Sequence, residues 1–106
     1  MKDIEYFFRK NHYFFTYYDN NKINVVRKRE IFTIEIRVSK QDTNYNIQFR
    51  MTNFETPIII HSYNNIKDRN VIRCLGIIEH KVDDFVRGFL TLCEKFKIND
   101  EVIDYD

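Results

Sequence analysis

The sequence contains no alanine and no tryptophan, and its 106 residues include only two glycines, one proline and two cysteines. Gly76 and Gly88 lie far apart, so the chain has no glycine-rich phosphate loop and we expect no nucleotide hydrolysis. Cys74 and Cys93 are too few for a disulfide framework. No apolar run approaches the ~20 residues that span a bilayer, and we therefore expect no membrane partner.

The first residues lack the pattern of a secretion signal, because Asp3 and Glu5 interrupt any basic start followed by an apolar run. This favours a cytoplasmic protein. Isoleucine and asparagine are abundant where alanine and glycine are scarce. That bias is typical of an AT-rich genome, such as that of a phage or another mobile element.

The net charge is only +1, so no overall charge draws the chain to DNA or to an acidic membrane. The two halves differ, however. Residues 1–53 carry a net charge of +4 and residues 54–106 a net charge of −3. A division of this size most often describes a solvated surface.

Aromatic and β-branched residues are plentiful, and their spacing predicts mostly strands. Residues 3–10 form a short predicted helix with Ile4, Phe7 and Phe8 on one face. The predicted strands cover residues 12–18, 22–28, 31–38, 45–51, 57–63 and 70–78. Strands 31–38 and 45–51 alternate strictly between apolar and polar residues, which is typical of a sheet with one buried face.

A C-terminal helix is predicted from apolar residues at helical spacing within residues 79–97. This apolar stripe consists of Val82, Phe85, Val86, Phe89, Leu90, Cys93 and Phe96. Asp83 and Asp84 fall in its first predicted turn, where capping explains them. The sequence thus predicts a single α+β domain over residues 1–106. An antiparallel sheet of four to six strands packs on this amphipathic helix, with a short N-terminal helix beside it.

The stretch "HYFFTYY" raises the question of what its five aromatic rings do. On a regular strand, Tyr13, Phe15 and Tyr17 share one face, and Phe14 and Tyr18 share the other. Either the N-terminal helix covers the second face and every ring is structural, or one set of rings, Phe14 and Tyr18 or the other set, remains exposed beside the polar sheet face. Exposed rings next to cations would suit single-stranded nucleic acid.

No catalytic or metal constellation emerges from the sequence. His61, Cys74, His80 and Cys93 do not have the spacing of a zinc site, and Cys93 falls in the apolar stripe, where it is expected to be a small buried residue. The Glu35–Arg37 pair resembles a nuclease strand only loosely, because arginine cannot act as a base. We therefore expect no enzyme activity, no cofactor and no metal.

Three functional hypotheses remain. The first is a protein-interaction module, an accessory or inhibitor protein of a phage or mobile element that blocks a larger intracellular protein, for example one that handles nucleic acid. The second is a single-stranded nucleic-acid-binding protein that uses the aromatic and basic strands. The third is a structural subunit whose sheet edge pairs with a copy of itself.

For the first two hypotheses, the candidate binding residues are aromatic, basic and polar side chains of the strands and acidic side chains near the C-terminus. They are Phe14, Tyr18, Arg27, Lys28, Arg29, Arg37, Gln48, Arg50, Asp100, Glu101, Asp104 and Asp106. Tyrosine, phenylalanine and arginine are the residue types that anchor protein interfaces. The C-terminal carboxylates would fit the basic groove of a nucleic-acid-handling protein.

Overall fold

The computed structural model describes the backbone of residues 1–104 and the side chains of residues 1–95. The chain divides into two compact units, Met1–Gly76 and Ile77–Asp106. The first unit contains helix α1 (Lys2–Lys10) and the strands β1 (Phe14–Tyr18), β2 (Lys22–Arg29), β3 (Phe32–Gln41), β4 (Asn44–Asn53) and β5 (Thr56–Lys67). A 3₁₀ turn at Asp68–Asn70 leads into helix α2 (Val71–Asp104), which continues into the second unit. The predicted α+β class is confirmed.

Helix α1 is amphipathic and has a defined end. Ile4 and Phe8, four residues apart, are its buried side chains. Acidic residues lie in its first turn and basic residues in its last, as the helix dipole favours. The Asn11 backbone N–H and its Nδ2 both donate to the Phe7 carbonyl, at 3.1 and 2.8 Å. His12 then adopts a left-handed φ of 65° and turns the chain toward β1.

The sheet is a five-stranded antiparallel meander in which the strands follow chain order, β1-β2-β3-β4-β5. Two-residue turns join β2 to β3, β3 to β4 and β4 to β5. The first turn residues, Glu30, Asp42 and Phe54, have φ between 55° and 57°. Glycine is the residue that adopts this conformation at least cost, and neither glycine of the chain is used here.

One face of the sheet is buried and is called the buried face below. The alternation predicted for β3 and β4 is confirmed, since every second residue from Phe32 to Val38 and from Tyr45 to Met51 is buried. The buried residues of these two strands on this face are Phe32, Ile34, Ile36, Val38, Tyr45, Ile47, Phe49 and Met51. Ile4, Tyr45 and Val71 line one cleft, which brings α1, β4 and the start of α2 together within the first unit.

Strand β5 is longer and more exposed than the sequence suggested. It covers twelve residues, nine of them exposed, although its beginning is rich in isoleucine. Its pairing with β4 is irregular near Ile58 and near Asn64–Asn65, where Asn65 has a φ of 57°. The low burial follows from its position as the last strand of the sheet.

The strand predicted over residues 70–78 is wrong, because this segment is the beginning of α2. Val71, Leu75 and Ile78 are buried at 1%, 0% and 0% exposure. Their spacing of four and three residues fits one helix face as well as an apolar strand. Gly76 therefore lies in a helix, as Gly88 does.

Three details of the predicted C-terminal helix are also corrected. Helix α2 starts at Val71 rather than near residue 79, so Asp83 and Asp84 lie in its interior and cap nothing. Within the second unit, Val82 and Val86 are buried and Phe85 and Phe89 are half-buried. Cys93 and Leu90 are exposed, so the buried stripe ends earlier than its sequence pattern. Phe96 lies outside the residues whose side chains are described.

Candidate functional site

Opposite the buried face, the sheet presents a second surface that we call the open face. Cross-strand pairing arranges its side chains in two rows, each running across all five strands. The first row is Phe14, Val26, Glu35, Arg50 and Ile60. The second row is Tyr17, Asn24, Arg37, Gln48 and Ser62. With a strand spacing of about 4.8 Å, four gaps make each row roughly 19 Å long.

The first row has an apolar residue at each end and opposite charges near its centre. Phe14 is 75% exposed and Ile60 is 63% exposed. Glu35 and Arg50 are directly opposed on β3 and β4. Opposite charges in this arrangement stabilise a sheet modestly, by about 0.2–1 kcal/mol. The row therefore has one exposed apolar side chain at each end and a polar centre between them.

The second row is polar throughout except for the ring of Tyr17. Three of its side chains, Arg37, Gln48 and Ser62, line a shallow depression together with Glu35, Arg50 and Ile60 of the first row. The Asn24 Oδ1 atom is buried and accepts no hydrogen bond from the described residues. A buried acceptor without a partner costs about 1–3 kcal/mol.

A bulge in β1 decides which rings reach the open face. The register with β2 shifts between Phe15 and Tyr17, so Phe15 pairs with Val25 and Tyr17 pairs with Asn24. The Thr16 hydroxyl donates to the Asn24 carbonyl at 3.1 Å. The extra residue reverses the alternation after Thr16. The predicted grouping of Tyr17 with Phe15, and of Tyr18 with Phe14, is therefore wrong.

Tyr18 lies on the same side of the sheet as α1. Its ring contacts Phe15 with centroids 5.8 Å apart. A hydrogen bond between Tyr18 and the Glu5 carboxylate raises the pKa of the phenol and is the main cause that lowers the pKa of Glu5. Arg9 lowers the pKa of Glu5 further and lies 4.6 Å from the Phe15 ring centroid. Tyr18 thus contributes to the contact between α1 and β1 rather than to the open face.

Tyr17 takes the place that was predicted for Tyr18. Its hydroxyl donates to Asp19 Oδ2 at 2.6 Å, and this bond raises the pKa of Tyr17 and lowers that of Asp19. The Asn21 and Lys22 backbone N–H groups also donate to Asp19, at 2.8 and 2.7 Å. Lys22 Nζ lies 5.6 Å from the Tyr17 ring centroid. The ring is therefore held in place while 47% exposed.

The three consecutive basic residues of β2 do not form one patch. Arg27 and Arg29 pair with Ile34 and Phe32, which places them at the end of the buried face, where both are half-buried. Arg27 lies 5.8 Å from the ring of Tyr13. Only Lys28, which pairs with Thr33, shares the open face with Arg37 and Arg50. The remaining predicted residue there, Gln48, is exposed.

Exposed apolar side chains continue from the open face to the neighbouring turns. Lys28 and Thr33 line a cleft together with Ile31 and Phe54, the turn residues of two hairpins at the same end of the sheet. Phe54 is 84% exposed. Sequence reasoning missed Tyr17 and Phe54 as candidates, because neither a bulge nor a turn conformation was visible in the apolar pattern. It missed Ile60 because three consecutive isoleucines do not show which face of the strand is exposed.

Other predicted features do not add to this site. The side chains of Asp100, Glu101, Asp104 and Asp106 lie outside the described residues. Within the described part of the chain, no three His, Cys, Asp or Glu side chains are grouped closely enough to hold a metal ion. His80 and Asp84 form an i,i+4 pair at 3.4 Å on α2. No helix among the described residues is long and apolar enough to span a membrane.

Comparisons with known proteins add no further assignment. The chain matches no protein-family model, no curated protein and no solved structure.

Proposed function

We propose that this protein is a non-enzymatic interaction module that binds another protein through its open face. The supporting observation is the first row, in which exposed Phe14 and Ile60 stand at the two ends and Glu35 and Arg50 at the centre. Aromatic residues and arginine contribute most binding energy in protein interfaces, and charged residues around them add specificity.

The charge of the open face favours an acidic partner surface. Among the described strand residues on this face, Lys22, Lys28, Arg37, Arg50 and Lys67 are basic and Glu35 is acidic. This excess of cations is larger than the net charge of +1 for the whole chain. Such a surface would steer an acidic patch toward the sheet, and it would do so less strongly at high salt.

The area of the face suits one partner of moderate size. A standard interface uses about 800 Å² of each partner. The two rows, each about 19 Å long and about 7 Å apart, form the centre of such a contact, and Lys28, Thr33, Ile31 and Phe54 extend it at one end of the sheet. Binding at the open face would cover part of the surface of the larger protein. We propose that the inhibitory or accessory action consists of blocking that surface.

Capture from a cell lysate with matched variants tests this proposal. The double variant Phe14→Ser/Arg50→Ser removes one ring and one cation from the open face. The control Tyr6→Ser/Lys10→Ser removes the same chemistry from exposed positions of α1. We expect the wild type and the control to capture the same protein, and the open-face variant to lose it. Equal capture by both variants would contradict the proposal.

Single-stranded nucleic acid is a second candidate, favoured by the exposed rings of Phe14 and Tyr17 on the same face as Arg37 and Arg50. Rings that stack bases and cations that hold phosphates are what such binding requires. Glu35 lies at the middle of the first row, however, where a phosphate backbone crossing the sheet would meet its carboxylate. This position makes a protein partner the better proposal.

Two measurements separate the candidates. Nuclease treatment of the lysate should leave the captured protein in place. Fluorescence anisotropy with an oligothymidine should show no submicromolar binding at physiological salt. Tight binding that falls linearly in log affinity with log salt, and that Phe14→Ser/Arg50→Ser abolishes, would favour nucleic acid instead.

A further inference from the structure

The outer edge of β5 differs from ordinary protein edges in being long and almost uncharged. β5 is the last strand of the sheet, and its far side pairs with no strand among the described residues. From Pro57 to Ile66 the sequence has no lysine, arginine, aspartate or glutamate, and His61 is the one residue that can carry a positive charge. Unpaired backbone groups on such an edge are a template for another strand.

The regular part of this edge is bracketed by two irregularities. The register with β4 shifts near Ile58 and near Asn64–Asn65. Between them, Ile59–Tyr63 pairs with Met51–Ile47 without interruption. Bulges limit pairing at sheet edges, so these two positions would set the ends of any added ladder. Five residues remain for it, with His61 at the centre.

We propose that a second copy of this chain pairs with that edge, antiparallel and centred on His61, so that two sheets join into one of ten strands. A two-fold axis at His61 places Ile59 opposite Tyr63 and Ile60 opposite Ser62, each pair occurring twice. Pairs of an aromatic and a β-branched residue stabilise antiparallel strands. No like-charged side chains oppose each other when His61 is neutral.

Side-chain orientation fits the same arrangement. Ile59 and Tyr63 pair with Met51 and Ile47, so they lie on the buried-face side of each copy. Ile60 and Ser62 lie on the open face. The first row of one copy would therefore continue into the second row of the other. The dimer follows from the edge alone and does not depend on the proposed partner.

Sedimentation equilibrium over a concentration series tests the dimer. The wild type should approach twice the 13.1 kDa monomer mass as concentration rises. His61→Lys places two ammonium groups opposite each other and should give the monomer mass throughout the series. His61→Gln, which adds no charge, should keep the dimer. Thr16→Lys places the same new charge on the β1 edge and should also keep it.

Disulfide trapping tests the register. In a chain carrying Cys74→Ala and Cys93→Ser, His61→Cys should form a covalent dimer on mild oxidation. Opposed residues of an antiparallel pair have Cα atoms about 4.5–5.5 Å apart, a range that a disulfide spans. Thr16→Cys should give no such dimer. A wild type that stays monomeric, a dimer that survives His61→Lys, or no preference for His61→Cys over Thr16→Cys would each overturn the proposal.

Discussion

The two faces of the sheet are made by neighbouring residues of the same strands, yet they have opposite properties. In β3, Ile34, Ile36 and Val38 are each fully buried, whereas Arg37 between the last two is exposed. The buried face removes apolar surface from water and so stabilises the fold. The open face contributes little to the stability of the fold. Its residues are therefore free to vary with the requirements of a partner.

The largest expected effect is a contrast between two adjacent residues. Ile36→Ala should lower the free energy of unfolding by about 2–5 kcal/mol, because it leaves a cavity in the buried face. Arg37→Ala should change it by no more than about 0.5 kcal/mol. Chemical denaturation of both variants measures the contrast. Equal losses would mean that the open face is part of the core.

Helix α2 provides a half-buried residue, Phe89, to compare with the fully buried Ile36. Phe89 retains part of its exposure, so Phe89→Ala should cost about 1–2 kcal/mol, less than full burial of an aromatic side chain would imply. Thermal or chemical unfolding measures the change. A loss comparable with that of Ile36→Ala would show that this part of the stripe is buried after all.

Adding a side chain on the exposed side of α2 should increase the stability of the protein. Gly76 and Gly88 are exposed, and among the described residues a Cβ at either position would meet no atom within 4 Å apart from its chain neighbours and the backbone of its own helix. Gly76→Ala and Gly88→Ala should each raise the free energy of unfolding by about 0.5–1 kcal/mol, because alanine loses less backbone entropy in a helix. Denaturant midpoints report this gain. A lower free energy of unfolding for either variant would indicate that the added methyl group clashes with a neighbouring group.

The smallest effect concerns protonation and tests the bulge in β1. The Tyr17 hydrogen bond lowers the pKa of Asp19, so the ionised carboxylate stabilises the fold at neutral pH and this contribution fades as the pH falls through that pKa. Tyr17→Phe should move the Asp19 pKa upward, toward its ordinary value. An NMR titration of the carboxyl carbon measures the shift.

Tyr18→Phe is the matched control for that titration. Tyr18 lies on the opposite side of the sheet and bonds to Glu5, so its removal should raise the Glu5 pKa and leave Asp19 unchanged. If Tyr18→Phe instead changed the pKa of Asp19, the two rings would lie as they do in a regular strand. That result would contradict the bulge.

Much of this fold could be predicted from the sequence. Strict alternation of apolar and polar residues fits only one structure, a strand with one buried face. Strict alternation in β3 and β4 identified both faces, and Ile4 and Phe8 identified the side of α1 that is buried. Arg37, Gln48 and Arg50 were accordingly placed on the polar face where they lie.

The errors arose where one pattern fits two structures. Val71, Leu75 and Ile78 suit a helix or an apolar strand, and residues 70–78 were assigned to the wrong one. Nothing in "FFTYY" marks Thr16 as an extra residue, so Tyr17 and Tyr18 were exchanged. Burial of Cys93 could not be judged from its spacing, because an apolar stripe can continue beyond the part of a helix that is buried.

The chain order of the strands has a consequence for how the protein folds. Each strand of the meander pairs with the one before it, and three of the four connections are turns of two residues. Pairing therefore closes only short loops, which keeps the relative contact order of the sheet low for a β-rich protein. We therefore expect this topology to fold faster than a sheet of the same size built from distant strands.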